Sequence, residues 1–259
     1  MKSILKYSLK ENGVCFLPKI FNKEEILLCQ KELQEVIKGV YQSEKAPEAR
    51  FWEVGDDPHS IIKIDKPHIC NQVIWDFITK KEFGYALAKA TESKKIKVWH
   101  SQLVWKPKSK GRSGNAGWHR DSQYWPFWSE KGLFTAWIAL TNVTKKSGPV
   151  KYIINSHLWN DIVGLDFFNK DLTTQNKIIR SVSDKPEEII SGTINRGEVL
   201  IHSSLTYHSS EKNEEEEPRI GLVVHFCNEH ADQVKTKGEN ANYLNFLNDN
   251  WTAPLIYEK

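Results

Sequence analysis

Cysteine and methionine are scarce in this chain of 259 residues, which has four cysteines and one methionine. The cysteines are Cys15, Cys29, Cys70 and Cys227, which lie far apart and form no C-x-x-C pair. A disulfide framework or a zinc knuckle needs a regular set of paired cysteines, so neither is expected here. The contents of hydrophobic residues (39%) and charged residues (27%) are those of an ordinary globular chain.

The sequence also lacks a strong charge imbalance and a long apolar run. Its 36 basic and 33 acidic residues leave a formal net charge of +3, which gives no electrostatic footprint for a nucleic acid or an anionic membrane. No apolar stretch is long enough to span a bilayer or to form the core of a signal peptide. We therefore expect a cytoplasmic protein that acts on a small molecule, with no nucleic-acid or membrane partner. The sequence leaves the oligomeric state open.

Helical patterns come first along the chain, and short strand patterns follow. Asn22 and Glu25 resemble a capping box in front of an apolar helical stripe, and a second helix is predicted over residues 73–90. Runs rich in β-branched and aromatic residues predict strands over residues 96–106, 134–143, 150–155, 198–203 and 219–226. This order predicts a mainly β fold, a β-sandwich or jelly roll, with supporting N-terminal α-helices.

We expect one domain over residues 1–259. Residues 1–95 would form the mostly helical support, residues 96–226 the jelly-roll core, and residues 227–259 a C-terminal segment. Residues 161–185 are polar and poorly periodic, which indicates an insertion between strands.

The segment WHRD at residues 118–121 is the most informative part of the sequence. Residues two apart in an extended strand share a face, so His119 and Asp121 would point the same way. An imidazole and a carboxylate on one face supply two of the three ligands of a 2-His-1-carboxylate iron site. An ordinary strand pair that shares a hydrogen bond is the alternative explanation.

A third ligand would come from a distant strand, where His202 and His208 are the candidates. Arg219 lies beyond a turn after His208, and antiparallel strands on either side of that turn would bring the two side chains together. An arginine in this place is suited to bind a carboxylate through two hydrogen bonds. Its alternative role is to neutralise the glutamates at positions 214–217.

These residues, taken in order, resemble the phytanoyl-CoA dioxygenase (PhyH-like) family. The resemblance spans roughly residues 63–226 and rests on His119-x-Asp121, Gly148-Pro149, Ser156-His157, Gly197-Glu198-Val199, His208-Ser209-Ser210, Asn213 and Pro218-Arg219. It implies a double-stranded β-helix (a cupin-like jelly roll). It also implies an oxidoreductase that uses Fe(2+), 2-oxoglutarate and O2. Such a dioxygenase hydroxylates or otherwise oxidises a small-molecule substrate, with release of succinate and CO2.

The resemblance assigns roles to single residues, with no catalytic group beyond the metal ligands. His119, Asp121 and His208 match the iron ligands. Arg219 matches the residue that pairs with the distal carboxylate of 2-oxoglutarate, and Ser210 matches the hydroxyl beside it. His202, the local rival of His208, is then interpreted either as a histidine packed in the core or as one that supports the ligands.

Three further positions are predicted to contact 2-oxoglutarate. Trp137 matches a tryptophan near the cosubstrate, Lys63 resembles a lysine that reaches it, and Gln102 lies where the family has a pocket-lining strand. Asp121 occupies the position at which halogenating relatives have a small residue, which favours oxygen transfer over halogenation.

Aromatic residues cluster around the metal motif, and some of them are predicted to line the substrate pocket. The candidates are Trp105, Trp118, Tyr124 and Trp125. Core packing is the alternative explanation for several of them. A basic segment nearby either meets an anionic substrate or forms a solvated loop; it contains Lys106, Lys108, Lys110 and Arg112.

Two other functions remain open. The chain could be a non-catalytic jelly-roll module that binds a ligand, or a cupin-like metalloenzyme that does not use 2-oxoglutarate. Convergence of the three ligands with an inward Arg219 would discriminate, because a binding module needs no such set and the second enzyme needs no inward arginine.

Overall fold

Two antiparallel sheets form the framework in the computed structural model, which describes residues 7–111, 114–182 and 188–259. The strands are β1 (Val14–Leu17), β2 (Ala49–Arg50), β3 (Ile62–Asp65), β4 (Lys95–Lys106), β5 (Ala116–His119), β6 (Leu133–Ala139), β7 (Val150–Ile153), β8 (Ile189–Ser191), β9 (Val199–Ser203), β10 (His208–Ser210), β11 (Arg219–Cys227) and β12 (Leu255–Glu258). The eight-stranded major sheet has the order β1-β9-β6-β11-β4-β3-β2, with β12 also paired to β4. The four-stranded minor sheet has the order β5-β10-β7-β8.

The two sheets enclose an apolar interior. Alternate residues of each strand point inward, and Val14, Trp137, Leu200 and Val223 of the major sheet pack together with Tyr152 of the minor sheet. The predicted mainly β jelly-roll fold is therefore confirmed.

Helices cover the outer faces of both sheets. The described helices are α1 (Leu9–Asn12), α2 (Lys23–Ile37), α3 (Gln72–Ile78), α4 (Lys81–Ala90) and α5 (Leu172–Val182). The predicted capping box is present at the start of α2. The Asn22 side chain accepts a hydrogen bond from the backbone N–H of Glu25, and the Glu25 side chain accepts one from the backbone N–H of Asn22. Ile26 and Leu33 of α2 belong to the same buried cluster as the outward-facing Leu222 of β11.

The single helix predicted over residues 73–90 is wrong, because the chain forms α3 and α4 with a break between them. The break lets Phe77 and Phe83 both pack on Phe21, with ring centroids 4.1 and 5.5 Å away. In an unbroken helix these two side chains would point about 120° apart. Glycine is required at position 84 of α4 for close packing, because a Cβ there would lie 2.2 Å from the backbone oxygen of Ile256.

The terminal regions also supply strands. β1, β2 and β3 from the region predicted to be mostly helical join the major sheet, and β12 adds the end of the chain to it. The segment predicted to be an insertion contains α5, and its residues 183–185 lie outside the described residues. None of the helices in the described ranges is both long enough and apolar enough to cross a membrane.

Candidate active site

Side chains from two separate parts of the sequence meet beside the minor sheet. His119 ends β5, and His208 begins β10 directly opposite it in the antiparallel register. Asp121 opens a short 3-10 turn, Asp121–Tyr124. One ligand atom from each of the three residues lies within 4.8 Å of the others. The strand ends before Asp121, so the expectation that an extended strand carries both residues is wrong, although the turn still brings the carboxylate to the imidazoles.

Backbone carbonyls orient the two imidazoles. His119 Nδ1 lies 2.8 Å from the Gly117 oxygen, and His208 Nδ1 lies 2.9 Å from the Thr206 oxygen. A carbonyl only accepts, so both Nδ1 atoms carry the proton and donate. The Nε2 lone pairs are thereby left to face Asp121 Oδ1, at distances of 3.9 and 3.6 Å. Metal-bound histidines are held in this way in proteins.

Asp121 is held through its other oxygen. The Thr135 hydroxyl donates to Oδ2 over 2.6 Å, and His202 Nε2 donates to the same atom over 3.1 Å. The Thr135 oxygen in turn accepts from Nδ1 of His225 over 2.9 Å, since its single proton is already used. His202 therefore supports the carboxylate, in agreement with its interpretation as a supporting histidine.

Sequence reasoning missed Thr135 and His225. They lie opposite one another on β6 and β11, 90 residues apart in the chain. The one available signal is a threonine and a histidine on the inward-facing positions of two neighbouring core strands, where apolar side chains are the rule.

Burial sets the charges of the three residues. It lowers the pKa of His119, and it lowers that of His208 well below the ordinary value, with help from the neighbouring His119 and His202. Burial alone would raise the pKa of Asp121, but His208 and His202 beside it hold that pKa well below its usual range. Near neutral pH the group thus consists of two neutral imidazoles and a carboxylate, the protonation states that a divalent metal needs.

A second polar site lies at the ends of β4 and β11. Arg219, predicted to point inward, is 3% exposed; it donates to the Gly148 oxygen, and its Cζ lies 5.2 Å from the Trp137 ring centroid. Burial lowers its pKa to about 10, so the guanidinium stays charged at neutral pH. Ser210 is buried on β10, two residues from His208.

The glutamates at positions 214–217 have partners other than Arg219. Glu214 pairs with Lys212, Glu215 accepts from Thr144, Glu216 pairs with Lys108, and Glu217 pairs with Arg196. Among the described residues, no ion pair of Arg219 with a carboxylate is found. The alternative role of this arginine, neutralising the acidic loop, therefore has no support.

Lys63 and Gln102 lie on β3 and β4 and make contacts of their own. Lys63 Nζ is 3.6 Å from Asp65 Oδ1 and 4.5 Å from the Phe51 ring centroid. Gln102 Nε2 is 3.3 Å from His100 Nε2. The structure does not bring either residue into contact with the three candidate ligands or with Arg219, and their roles stay predictions.

The four predicted pocket aromatics divide into two pairs. Trp105 packs against the helix-side core, and Trp118 packs against α5, where its indole N–H donates to Asn176 over 2.8 Å. Strand alternation turns both away from the interior that holds His119, and their role in a substrate pocket stays a prediction. Tyr124 and Trp125 follow the metal motif: their rings lie 6.0 Å from the His119 ring and 4.9 Å from the His225 ring, respectively.

Residues 161–167, which precede α5, cover the metal motif at residues 119–121. The Phe167 ring lies 4.9 Å from the His119 ring, and the Tyr124 hydroxyl accepts from the Phe167 amide over 2.9 Å. Arg120, between the ligands, fixes the start of this segment through Asp161 at 2.6 Å. These contacts place aromatic rings beside His119 and limit the access of water.

Comparisons with known proteins agree with this arrangement. The profile of the family "Phytanoyl-CoA dioxygenase (PhyH)" matches residues 9–221. No curated protein matches the sequence significantly.

Solved structures share the fold at low identity. Apo EctD from S. alaskensis has a TM-score of 0.68 and 17% identity over 90% of this chain and 79% of that chain. The non-heme monooxygenase ThoJ, without ligand, has a TM-score of 0.68 and 15% identity over 97% and 82% of the two chains. The epimerase SnoN, in complex with Fe3+, alpha ketoglutarate and nogalamycin RO, has a TM-score of 0.67 and 17% identity over 87% and 82%.

Proposed function

Because the chain belongs to the phytanoyl-CoA dioxygenase family, we propose that it is an Fe(II)- and 2-oxoglutarate-dependent dioxygenase. It would oxidise a small-molecule substrate, with hydroxylation as the first reaction to test, and release succinate and CO2. One observation carries this proposal: the ligand atoms of His119, Asp121 and His208 lie within 4.8 Å of one another, inside the same barrel as a buried Arg219.

The donor set fits a ferrous ion. Two imidazole nitrogens and one carboxylate oxygen are the donor set of non-heme iron oxygenases, and the other positions on the ion would be free for the cosubstrates. Both Nδ1 protons and Asp121 Oδ2 are already engaged by the protein, so the atoms that remain are those that would bind the ion. When bound, iron together with 2-oxoglutarate would supply the activation of O2.

The side chains of this protein bind, orient and shield. His119, Asp121 and His208 would hold the metal, while Thr135 and His202 fix the carboxylate that faces it. Arg219 and Ser210 would bind the distal carboxylate of 2-oxoglutarate. In the same proposal, Trp137 packs beside the cosubstrate and Lys63 and Gln102 face the pocket.

The two competing functions are less compatible with the site. A binding module has no need of three converging ligands with a supported carboxylate, and a metalloenzyme without 2-oxoglutarate has no need of a buried guanidinium for which the described part of the chain shows no acidic partner. A cytoplasmic location also stays a prediction; the four buried free thiols are compatible with a reducing compartment.

The test is succinate formation. The protein, loaded with Fe(II) under anaerobic conditions, would be supplied with 2-oxoglutarate and O2 and screened over small-molecule substrates. We expect succinate to form with iron and to be abolished in Asp121→Ala. Succinate formation by Asp121→Ala equal to that of the wild type would refute the ligand assignment. Metal binding without any uptake of 2-oxoglutarate would favour the second metalloenzyme.

A further inference from the structure

Lys106 is a second cation buried beside Arg219. The two residues are register partners at the adjoining ends of β4 and β11, and they are 2% and 3% exposed. Lys106 ends a strand whose inward-facing residues include Val104, so its ammonium points into the barrel and not into the basic loop that follows. Lys108, two residues later, pairs with Glu216 and is partly exposed, and Arg112 lies outside the described residues.

The hydrogen bonds that the structure shows for these two buried basic side chains go to neutral acceptors. Lys106 Nζ donates to Ser210 Oγ over 2.9 Å and to the backbone oxygen of Glu211 over 2.6 Å, and both acceptors are neutral. Arg219 donates to the Gly148 oxygen, while its buried Nε has no hydrogen-bond partner. Across the described ranges, no carboxylate pairs with either side chain. Two like charges buried together are unfavourable unless an anion joins them.

Lys106 also determines whether the Ser210 hydroxyl can act as a hydrogen-bond donor to a ligand. Burial and the neighbouring charge of Arg219 lower the pKa of Lys106 well below its usual range, so an anion bound beside the two residues would stabilise the charged form. As an ammonium, Lys106 only donates, and the Ser210 oxygen is then the acceptor in their hydrogen bond. The hydroxyl proton of Ser210 is therefore available to a different acceptor. A carboxylate bound beside these residues would accept a hydrogen bond from this hydroxyl and from the unpaired Nε–H of Arg219, and it would meet the charge of Lys106.

We propose that Lys106 is a specificity-determining residue of the 2-oxoglutarate pocket. Together with Arg219 it selects a 2-oxo acid with a distal carboxylate, both through its charge and by orienting the Ser210 hydroxyl as a donor. This inference rests on the proposed function.

The test compares two 2-oxo acids that differ at the distal end. 2-Oxoglutarate has a carboxylate there, and 2-oxovalerate has a methyl group. Binding of each to the Fe(II)-loaded protein would be titrated without O2, by the charge-transfer absorption of the iron chelate. The variants are Lys106→Met, which keeps the alkyl stem, Lys106→Arg, which keeps the charge, and Lys108→Met, which removes a neighbouring exposed cation as the matched control.

We expect Lys106→Met to weaken binding of 2-oxoglutarate on the order of 10- to 100-fold, since a charged hydrogen-bonding partner is lost. Binding of 2-oxovalerate should stay within about twofold, because it makes no use of the distal charge. Lys106→Arg should recover part of the affinity, and Lys108→Met should match the wild type. Should Lys106→Met fail to fold, Lys106→Gln keeps a donor for Ser210 without the charge and carries the same expectation.

Equal affinity of Lys106→Met and the wild type for 2-oxoglutarate would overturn the inference, and so would an equal loss for both acids, which indicates a structural role. Either result leaves the proposed function standing. If the wild-type protein binds iron but forms no chelate with either acid, the proposed function fails and this inference falls with it.

Discussion

Replacing Thr135 by valine tests whether the support of Asp121 determines metal affinity. Valine has a similar volume but removes the donor to Asp121 Oδ2, at 2.6 Å, and the acceptor for His225 Nδ1, at 2.9 Å. A hydrogen bond to a charged group contributes about 1.5–3 kcal/mol, and residues that support metal ligands typically account for ~10- to 100-fold in metal affinity. Because His202 still holds Oδ2 over 3.1 Å, we expect the lower part of this range, about a 10- to 30-fold rise in the Kd for Fe(II).

The assay is anaerobic titration of Fe(II) against a competing chelator, with thermal unfolding measured in parallel. Thr141→Val is the matched control: Thr141 is as buried as Thr135, at 2% exposure, but it accepts from the Ile220 amide and touches no ligand. Both variants leave a buried donor unpaired, which costs about 1–3 kcal/mol of stability. Only Thr135→Val should weaken the binding of Fe(II). A metal Kd unchanged in Thr135→Val, with the stability loss present in both variants, would show that the hydroxyl supports the fold and not the ligand.

Four further outcomes are expected. His208→Ala should abolish iron binding in the chelator titration, whereas His202→Ala should only weaken it; the reverse order would exchange their roles. Arg219→Ala should raise the 2-oxoglutarate concentration required for turnover while the iron Kd stays constant, and an unchanged requirement would remove the arginine from the cosubstrate pocket. Gly221→Ala should impair 2-oxoglutarate binding, since a Cβ there would lie 2.2 Å from the Trp137 ring, and wild-type binding would contradict this. Metal affinity should be nearly constant as the pH falls to 6.5, the ordinary histidine pKa, and should decrease only at lower pH. The reason is that burial lowers the pKa of both His119 and His208, so that they become protonated only below that pH. A loss of affinity centred at pH 6.5 would refute this.

The candidate ligand set could be proposed because two short sequence motifs carry it, whereas the orientation of β4 in the sheet could not be predicted. A strand with one face in water alternates apolar and polar residues, but β4 is covered by helices on one face and by the barrel interior on the other. Trp105 and Lys106 therefore gave no reliable signal of which one points inward. The structure packs the tryptophan against the helix-side core and turns the lysine toward Ser210 of the minor sheet, the reverse of what hydrophobicity alone indicates.

The supporting residues were hidden for a different reason. Thr135 and His225 act on Asp121 through pairing between β6 and β11, whose register depends on the assembled sheet. The strand β10, which carries His208, is three residues long and has no periodicity that could predict it. It was found through the motif it carries, and its position follows from pairing with β5 on one side and β7 on the other.

The three candidate ligands also connect the two sheets. His119 and His208 belong to strands of the minor sheet, and the carboxylate of Asp121 is held by Thr135 and His202 on β6 and β9 of the major sheet. A metal ion bound by the first three residues would thus couple the minor sheet to the major sheet through Asp121. Since the hydrogen bonds of Oδ2 leave Oδ1 directed at the imidazoles, closure of the barrel itself brings the three candidate ligand atoms within 4.8 Å of one another.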